Sequence, residues 1–405
     1  MKPVAEVENI ILDLVQPLTE IESVSLDEAY NRILGKNISS SLDLPYWDNS
    51  AMDGYAVKFT DVQNASVDNP IPLKIVAEIP AGYCPQIKIN QGETARIFTG
   101  GMIPSGSDTI VMQENTQAQG DQVLILSAPE PQQFVRHQGF FYQAGDCLLP
   151  SGIQIKAPEM AILATAQCLH VPVIKSPIIA ILSTGDELIT PEMELQPGQI
   201  IDSNQYLLSS FLRENGAIPI RMGIVADDFT SLKQVISSAL EQADWVISTG
   251  GVSVGEYDYV DRVLQELGGK IQVHSVQMKP GKPLTVASFP DQQLYFGIPG
   301  NPVSTMVTCW RFLQTAIAKF SGNKDYSRPK IVKGVSKSRL SSQGTRESYL
   351  WGQVILENGY FQFTLATGSG SSGNLVNLRG VNALAVIPVG TKLIEIGQNV
   401  EIMLI

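Results

Sequence analysis

Two rhythms of apolar and polar positions divide the chain. Between about residues 177 and 322, short continuous apolar runs alternate with segments of helical period. The run IIAILS (178–183) predicts a buried strand that ends in Thr184-Gly185-Asp186-Glu187. A helix over 205–214 is expected next, with Ser203 or Asn204 as its cap and Gly216 as its stop. Strand 218–225 leads into Asp227-Asp228 and a helix reaching about Gln242. Strand 244–249 runs into the glycine-rich stretch 250–255, followed by a helix over about 257–267. Residues 271–278, 284–289 and 293–298 predict three more strands, and a last helix carries Pro302 in its first turn, where proline is tolerated. Strands alternating with helices predict an α/β fold with a doubly wound, mainly parallel sheet.

Elsewhere the rhythm is shorter. Val4, Val7, Ile11 and Leu14 recur at helical spacing, and Ser25-Leu26-Asp27-Glu28 forms a capping box for a short helix that Gly35 would end. From about 42 to 143, β-like runs such as 71–80 and 108–115 are broken by Gly, Pro and Asn, which predicts a β-rich domain. The last eighty or so residues again read as strands, with Asn358-Gly359 turning a hairpin and 368–374 forming a flexible or anion-facing loop. A small terminal barrel or sandwich is expected there.

Composition narrows the function. With 405 residues, 44% hydrophobic and 17% charged, the chain reads as a globular protein of several domains. Its formal net charge of −12, without a basic tract, argues against a nucleic-acid partner. No apolar run reaches membrane-spanning length, and the first residues lack the order of a signal peptide, so a cytoplasmic protein without a membrane partner is expected. Cys84, Cys147, Cys168 and Cys309, with His137, His170 and His274, show no zinc-like spacing. They read as buried thiols and ordinary histidines.

The candidate chemistry collects where the predicted strands end. Ligands of open parallel sheets bind beyond the carboxyl ends of the strands. That rule predicts one crevice holding Glu187, Asp227, Ser253, Asp258, Lys279 and Lys282. Gly250 and Gly251 open a strand-to-helix connection whose amides could face an oxyanion, although a plain tight turn is an equal alternative. In Lys279-Pro280-Gly281-Lys282-Pro283 the prolines stiffen a segment with two ammonium groups, which favours an anion clamp over two solvated lysines. Glu187, Asp227, Asp228 and Asp258 are hard oxygen donors suited to magnesium beside a phosphate, with one of Asp227 and Asp228 serving as a helix cap instead. Asp48, Asn49, Ser50 and Asp53 read first as turn-formers, and Tyr46, Trp47 and Tyr55 as packing aromatics.

Six stretches then carry a resemblance: 44–57 (LPYWDNSAMDGYAV), 95–114, 183–188 (STGDEL), 248–260 (STGGVSVGEYDYV), 279–283 (KPGKP) and 297–304 (GIPGNPVS). Together they resemble the molybdopterin molybdenumtransferases, the MoeA and gephyrin E-domain family, over most of the chain. The resemblance implies a molybdopterin-binding α/β domain (1–20 and 177–322), a linker domain (21–41 and 144–176), a β-rich domain (42–143) and a C-terminal β-barrel (323–405). It implies a homodimeric transferase that takes molybdate and adenylylated molybdopterin to molybdenum cofactor and AMP, with Mg2+. The preceding adenylyltransferase and acceptor molybdoenzymes are the implied protein partners. By the same resemblance Lys279, Lys282, Pro283, Arg346 and Ser372 hold molybdate. Asp227, Ser253 and Asp258 hold and cleave the adenylate, Asp258 and Glu187 lie near the metal, and Asp53 and Thr99 come from the other subunit. Two departures stand out. Gln138-Gly139-Phe140-Phe141 lacks the acidic pair that similar chains carry after the glycine, and position 351, where they often end an R-x-x-[FY]-x-R-type segment with arginine, is tryptophan. The rival readings are an adenylyltransferase acting one step earlier, for which 23–176 and 323–405 would be superfluous, and a gephyrin-like scaffold, for which no added linker or receptor-binding extension is present.

Overall fold

The computed structural model describes residues 1–251, 259–367 and 371–405. Two units can be distinguished: 1–36, 151–160 and 170–405 form one, and 37–150 with 161–169 form the other.

The first unit is built on a six-stranded sheet. Helix α1 (Val4–Leu14) precedes β1 (Ile178–Thr184), α2 (Asn204–Glu214), β2 (Ile218–Val225), α3 (Phe229–Gln242) and β3 (Trp245–Thr249). Then come α4 (Tyr259–Glu266), β4 (Lys270–Ser275), β5 (Pro283–Ser288), β6 (Leu294–Ile298), α5 (Pro302–Thr308) and α6 (Gln314–Phe320). The strand order is β2-β1-β3-β6-β5-β4. The first four strands are mutually parallel, while β5 pairs antiparallel with both β6 and β4. Only β5 is therefore reversed, and the connection from β4 to β5 lies at the edge where β1, β2, β3 and β6 end.

Both faces of this sheet are covered because successive strand residues point to opposite sides. Ile179, Ile181, Ile247 and Phe296 pack with Val4, Val7 and Ile11 of α1 and with Leu208, Val307 and Ile317. Ala180, Leu182, Val246 and Tyr295 pack with Leu232 and Ile236 of α3 and Val263 and Leu264 of α4. The doubly wound expectation holds.

Several local expectations need correction. The first turn of α2 is capped by neither Ser203 nor Asn204. Asp202 Oδ1, two residues before the helix start, accepts from the Asn204 and Gln205 amides at 3.0 and 3.4 Å, while Ser203 at the N-cap position makes no side-chain cap bond. The predicted strand 271–278 breaks after Ser275, and Met278–Lys279 instead pairs with Glu347–Ser348. The capping box at Ser25 forms, with the Ser25 amide and hydroxyl donating to Glu28, but it starts only a 3-10 turn, Leu26–Glu28. A paired strand, Ile21–Ser25 against His170–Ile174, dominates that region. The thiols are not uniformly buried. Cys84 and Cys147 are exposed, Cys168 is half-buried, and Cys309 alone among them is fully buried, where desolvation pushes its pKa well up.

The last residues of the same unit close a five-stranded barrel. Strands β7 (Ile331–Ser336), β8 (Glu347–Glu357), β9 (Tyr360–Leu365), β10 (Ala383–Ile387) and β11 (Asn399–Leu404) run in the ring order β8-β9-β7-β11-β10, and β10 returns to β8. Asn358 and Gly359, at φ 52° and 80°, turn the β8–β9 hairpin as the dipeptide predicted. Tyr349, Trp351, Leu384 and Met403 extend the α/β core into the barrel wall.

The second unit holds another six-stranded sheet, ordered 109–112, 54–57, 93–97, 71–79, 122–125 and 116–119. Tyr55 and Val57 pack on one side of it and Ala56 on the other. The β-rich character expected for this stretch is present.

Candidate active site

The lysine segment sits where two elements force it into place. Met278–Lys279 is stitched to the start of β8, with the Glu347 amide donating to Gln277 O at 3.0 Å and Gln277 Nε2 to Thr345 O at 3.0 Å. Gly281 has φ +103°, and a Cβ there would lie 2.4 Å from the Met278 methyl and 3.0 Å from the Thr308 hydroxyl. Only glycine fits that bend. Arg346, one residue before β8, turns back so that Nη1 donates to Met278 O at 3.3 Å.

These residues open onto a cavity of about 500 Å³ between the sheet edge and the barrel. Lys279, Pro280, Gly281, Lys282, Pro283, Arg346 and Ser372 line it, and the loop bearing Ser372 is tied to α5 by the Val303 amide, which donates to Ser372 O at 3.0 Å. The whole predicted oxyanion group is thus brought together. Among the described residues no aspartate or glutamate lines the cavity, although the chain carries a net charge of −12. Tyr349, Leu350, Trp351, Leu365 and Ala366 form an aromatic and aliphatic wall. Sequence reasoning missed Arg339 and the hydroxyls of Ser304, Ser341, Ser342 and Ser348, which line the same space. The signal was weak: Arg339 stands among polar residues far along the chain, and only barrel closure returns it to the lysines.

The predicted carboxylates gather elsewhere on the same edge. Glu187 and Asp227 follow β1 and β2, and the Asp227 amide donates to Asp186 Oδ1 at 3.3 Å. Partial desolvation, then the charges of Asp186, Glu187 and Asp228, push the Asp227 carboxyl above its ordinary pKa. Asp228 is the helix cap of the pair. Its Oδ1 accepts from the Ser231 and Thr230 amides at 3.0 Å each, and the Ser231 hydroxyl, then these two amides, hold its pKa low. Glu187 and Asp227 do not line the lysine cavity, so the single predicted crevice is better described as two places on one edge. From β1, which leads to Glu187, across β3 and β6 to β5 is three strand steps of about 4.8 Å, roughly 14 Å, and from β2, which leads to Asp227, four steps, roughly 19 Å.

Between them lie the ends of β3 and β6. Gly250 and Gly251 have φ +83° and +63°, and added Cβ atoms would lie 2.3 Å from Thr184 O and 2.6 Å from Thr184 Oγ1. Gly300 stacks on Gly250, with its Cβ position 3.5 Å from Gly250 Cα. Thr184 Oγ1 and Asn204 Oδ1 are buried here and have no hydrogen-bond partner among the described residues, while Asn204 Nδ2 donates to Gly300 O at 2.7 Å. Buried polar atoms of this kind call for water or a ligand. Ser253 and Asp258 fall outside the described residues.

In the other unit, Asp53 and Thr99 bond to each other. The Thr99 amide and hydroxyl both donate to Asp53 Oδ1 at 2.7 Å and hold its carboxyl below its ordinary pKa. Phe140 and Phe141 are exposed and pack edge to face. Their loop has carboxylates from another segment: Gln138 donates from its amide to Asp48 and from its side chain to Asp43.

A larger cavity, about 630 Å³, lies elsewhere in the first unit and includes Arg32, Lys175 and Arg328. Those three cations are engaged with Glu22, Glu20 and Glu8. Lys156 and Lys330 line it too, but so do Glu159, Glu214 and Asp325, so its wall mixes both signs of charge where the lysine cavity shows cations.

Comparison with known proteins agrees with this arrangement. Residues 2–166 match the MoeA N-terminal region (domain I and II), 180–319 a probable molybdopterin binding domain, and 333–405 the MoeA C-terminal region (domain IV). A molybdopterin molybdenumtransferase of Nostoc sp. is 51% identical over 408 residues, covering 100% of this chain and 94% of that one. One of Haemophilus influenzae is 31% identical, covering 90% and 95%. The crystal structure of a molybdopterin biosynthesis MoeA protein from Pyrococcus horikoshii OT3 superposes with a TM-score of 0.84 at 28% identity, covering 100% of both chains.

Proposed function

We propose that this chain, which belongs to the molybdopterin molybdenumtransferase family, transfers molybdenum from molybdate to the dithiolene of adenylylated molybdopterin, yielding molybdenum cofactor and AMP. The observation that carries the reading is a cavity, lined by no carboxylate among the described residues, in which Lys279, Lys282 and Arg346 collect inside a strongly acidic chain. Such a pocket attracts a small dianion through its local field while the rest of the surface repels polyanions. Lys279, Lys282 and Arg346 bind molybdate, with Pro283 and Ser372 shaping the contact. The guanidinium offers a fixed fork of donors to the oxyanion. The aromatic wall of Tyr349 and Trp351 suits a flat heterocycle beside it.

The adenylate end is assigned to the opposite part of the edge. Gly250 and Gly251 allow close approach of a phosphate, Asp227 faces the departing AMP, and Ser253 and Asp258 complete that group. The separation of roughly 14 to 19 Å between the carboxylates and the lysines suits a substrate with its nucleotide at one end and its sulfurs at the other. Magnesium fits the donor set of Glu187 and Asp227, since this ion is held by one or two carboxylates with substrate phosphates supplying further ligands. The crowding that raises the Asp227 pKa is the crowding a divalent cation would relieve. When bound, it would offset charge on the phosphates being separated. The enzyme's own residues do the positioning: the two dithiolene sulfurs belong to the substrate, so no cysteine is required of the chain.

The proposed assembly is a cytoplasmic homodimer in which Asp53 and Thr99 serve the site of the partner subunit. The residue division into 1–20 with 177–322, 21–41 with 144–176, 42–143 and 323–405 is kept as the proposed domain map. An adenylyltransferase would supply the substrate and molybdoenzymes would take the product. Among the described residues, no helix is long and apolar enough to cross a membrane.

The test is AMP release from adenylylated molybdopterin. Release is expected only when that substrate, molybdate and magnesium are all present. In the same assay Lys279→Ala and Lys282→Ala should each raise half-saturating molybdate about tenfold, the size of one lost charge-assisted hydrogen bond. ATP consumption that forms adenylylated molybdopterin would favour the earlier adenylyltransferase step. Capture of a membrane-receptor peptide with no turnover would favour a scaffold.

A further inference from the structure

Arg339 is the cation of the lysine cavity that no motif pointed to. It precedes a two-stranded ladder in which Leu340–Ser341 pairs antiparallel with Leu393–Ile394, and Ser341 and Ser342 from the same segment also line the cavity. That register brings Glu395 alongside Arg339, with Nε 3.6 Å from Oε2 and side chains 69% and 51% exposed. The contact is long and solvated, the kind of pair worth little. Glu395 is not among the cavity-lining residues, whereas Arg339 is. Trp351, 8% exposed and also on the cavity lining, brings an indole and no positive charge. The cavity is also far larger than one tetrahedral oxyanion, so the lysines and Arg346 do not exhaust its capacity for charge.

We propose that Arg339 is a fourth oxyanion-binding residue of this cavity and that Glu395 is its internal counter-ion, which the incoming dianion displaces. The proposal rests on the molybdate-binding reading of the site. A guanidinium exchanges partners readily here because a dianionic oxyanion offers it two short charge-assisted bonds in place of one long contact. While the cavity is empty, Glu395 lowers the repulsion between Arg339 and the other three cations. When the anion binds, Glu395 is left in water, where its charge costs little. The exchange favours dianions, since a singly charged competitor repays the loss of Glu395 less well.

Calorimetric titration of the full chain with sodium molybdate alone, at fixed ionic strength, tests this. Arg339→Ala is expected to weaken molybdate binding about tenfold, the loss of one charge-assisted bond. Glu395→Gln should tighten it about threefold, the size of an exposed ion pair. Arg339→Ala/Glu395→Gln should bind as Arg339→Ala does, because the counter-ion acts only through the arginine. Arg339→Lys should recover part of the loss. Both side chains are exposed, and unchanged thermal unfolding of the variants verifies that the fold is kept. The proposal is overturned if Arg339→Ala stays within about twofold of the wild type, a change too small for a direct ionic contact. It is equally overturned if Glu395→Gln tightens binding by the same factor without Arg339, or if the wild type takes up no molybdate. AMP release by the wild type decides the reaction separately: activity with an unaltered Arg339→Ala affinity sinks this inference and leaves the function standing.

Discussion

Asp227 shows how a residue proposed for function works against stability. Burial and three neighbouring carboxylates raise its pKa above the ordinary 3.8. A raised folded pKa means that the protonated form suits the fold. The associated stability is present below the unfolded pKa and is lost as pH rises through the folded one. At neutral pH the ionised side chain is therefore a net cost. With no magnesium added, Asp227→Asn is expected to raise Tm at pH 7 by about 1–2 °C, a small figure because the site is partly solvated. The gain should fade as pH falls toward 3.8, and AMP release should be lost at every pH. An Asn variant less stable than wild type at pH 7 would remove the case for an uncompensated acid cluster. Lys279 and Lys282 were legible in the chain because one stiff segment carries both. Arg339 was not, because its neighbours in space are far away in sequence.

Among the elements, α1 and the continuous helical run around Cys309–Leu313 carry the least expected interaction. That five-residue stretch winds as a π-turn between α5 and α6 and carries Arg311 inward. Arg311 Nη1 and Nη2 donate to Glu8 Oε1 and Oε2 at 2.8 and 3.1 Å, and Nε donates to Tyr349 Oη at 2.9 Å. Tyr349 in turn donates to Glu347 on β8, next to Arg346. Burial alone would lower the Arg311 pKa, but Glu8 and Tyr349 outweigh it and hold it up. The apolar period of α1 was visible in Val4, Val7 and Ile11; the burial of Glu8 was not, since a glutamate on a helix reads as a solvated face. Glu8→Gln leaves a buried guanidinium half-paired and should cost about 3–5 kcal/mol in urea unfolding. Glu8→Met with Arg311→Met should recover much of that, because an apolar pair avoids the desolvation penalty. A Glu8→Gln cost below about 1 kcal/mol would mean that the pair behaves as a surface bridge.

At the scale of the whole molecule, two kinds of sheet divide the work. The parallel sheet gathers loop residues along one edge, and barrel closure supplies the opposing wall that turns the lysine segment into a cavity. The proposed homodimer belongs to this scale too. Light scattering across micromolar concentrations is expected to give about twice the chain mass of 44.0 kDa. A monomer mass throughout would rule out a site completed by Asp53 and Thr99 of another copy.

The order of strands and helices, the strand-end loops and the hairpin at Asn358-Gly359 were determined locally, since periodicity and turn chemistry act over a few residues. So was the placing of Lys279 and Lys282 on one stiff segment. Tertiary structure alone decided that the carboxylates and the lysines occupy separate stretches of one edge, and that Asp202 rather than its neighbours caps α2. It also decided that Glu8 is buried and that Arg339 joins a cavity whose other cations lie at least seven residues away. The reason is physical. A local pattern states which face of an element is apolar, whereas the company a charged side chain keeps depends on strand order and ring closure, set by the packing of the entire core.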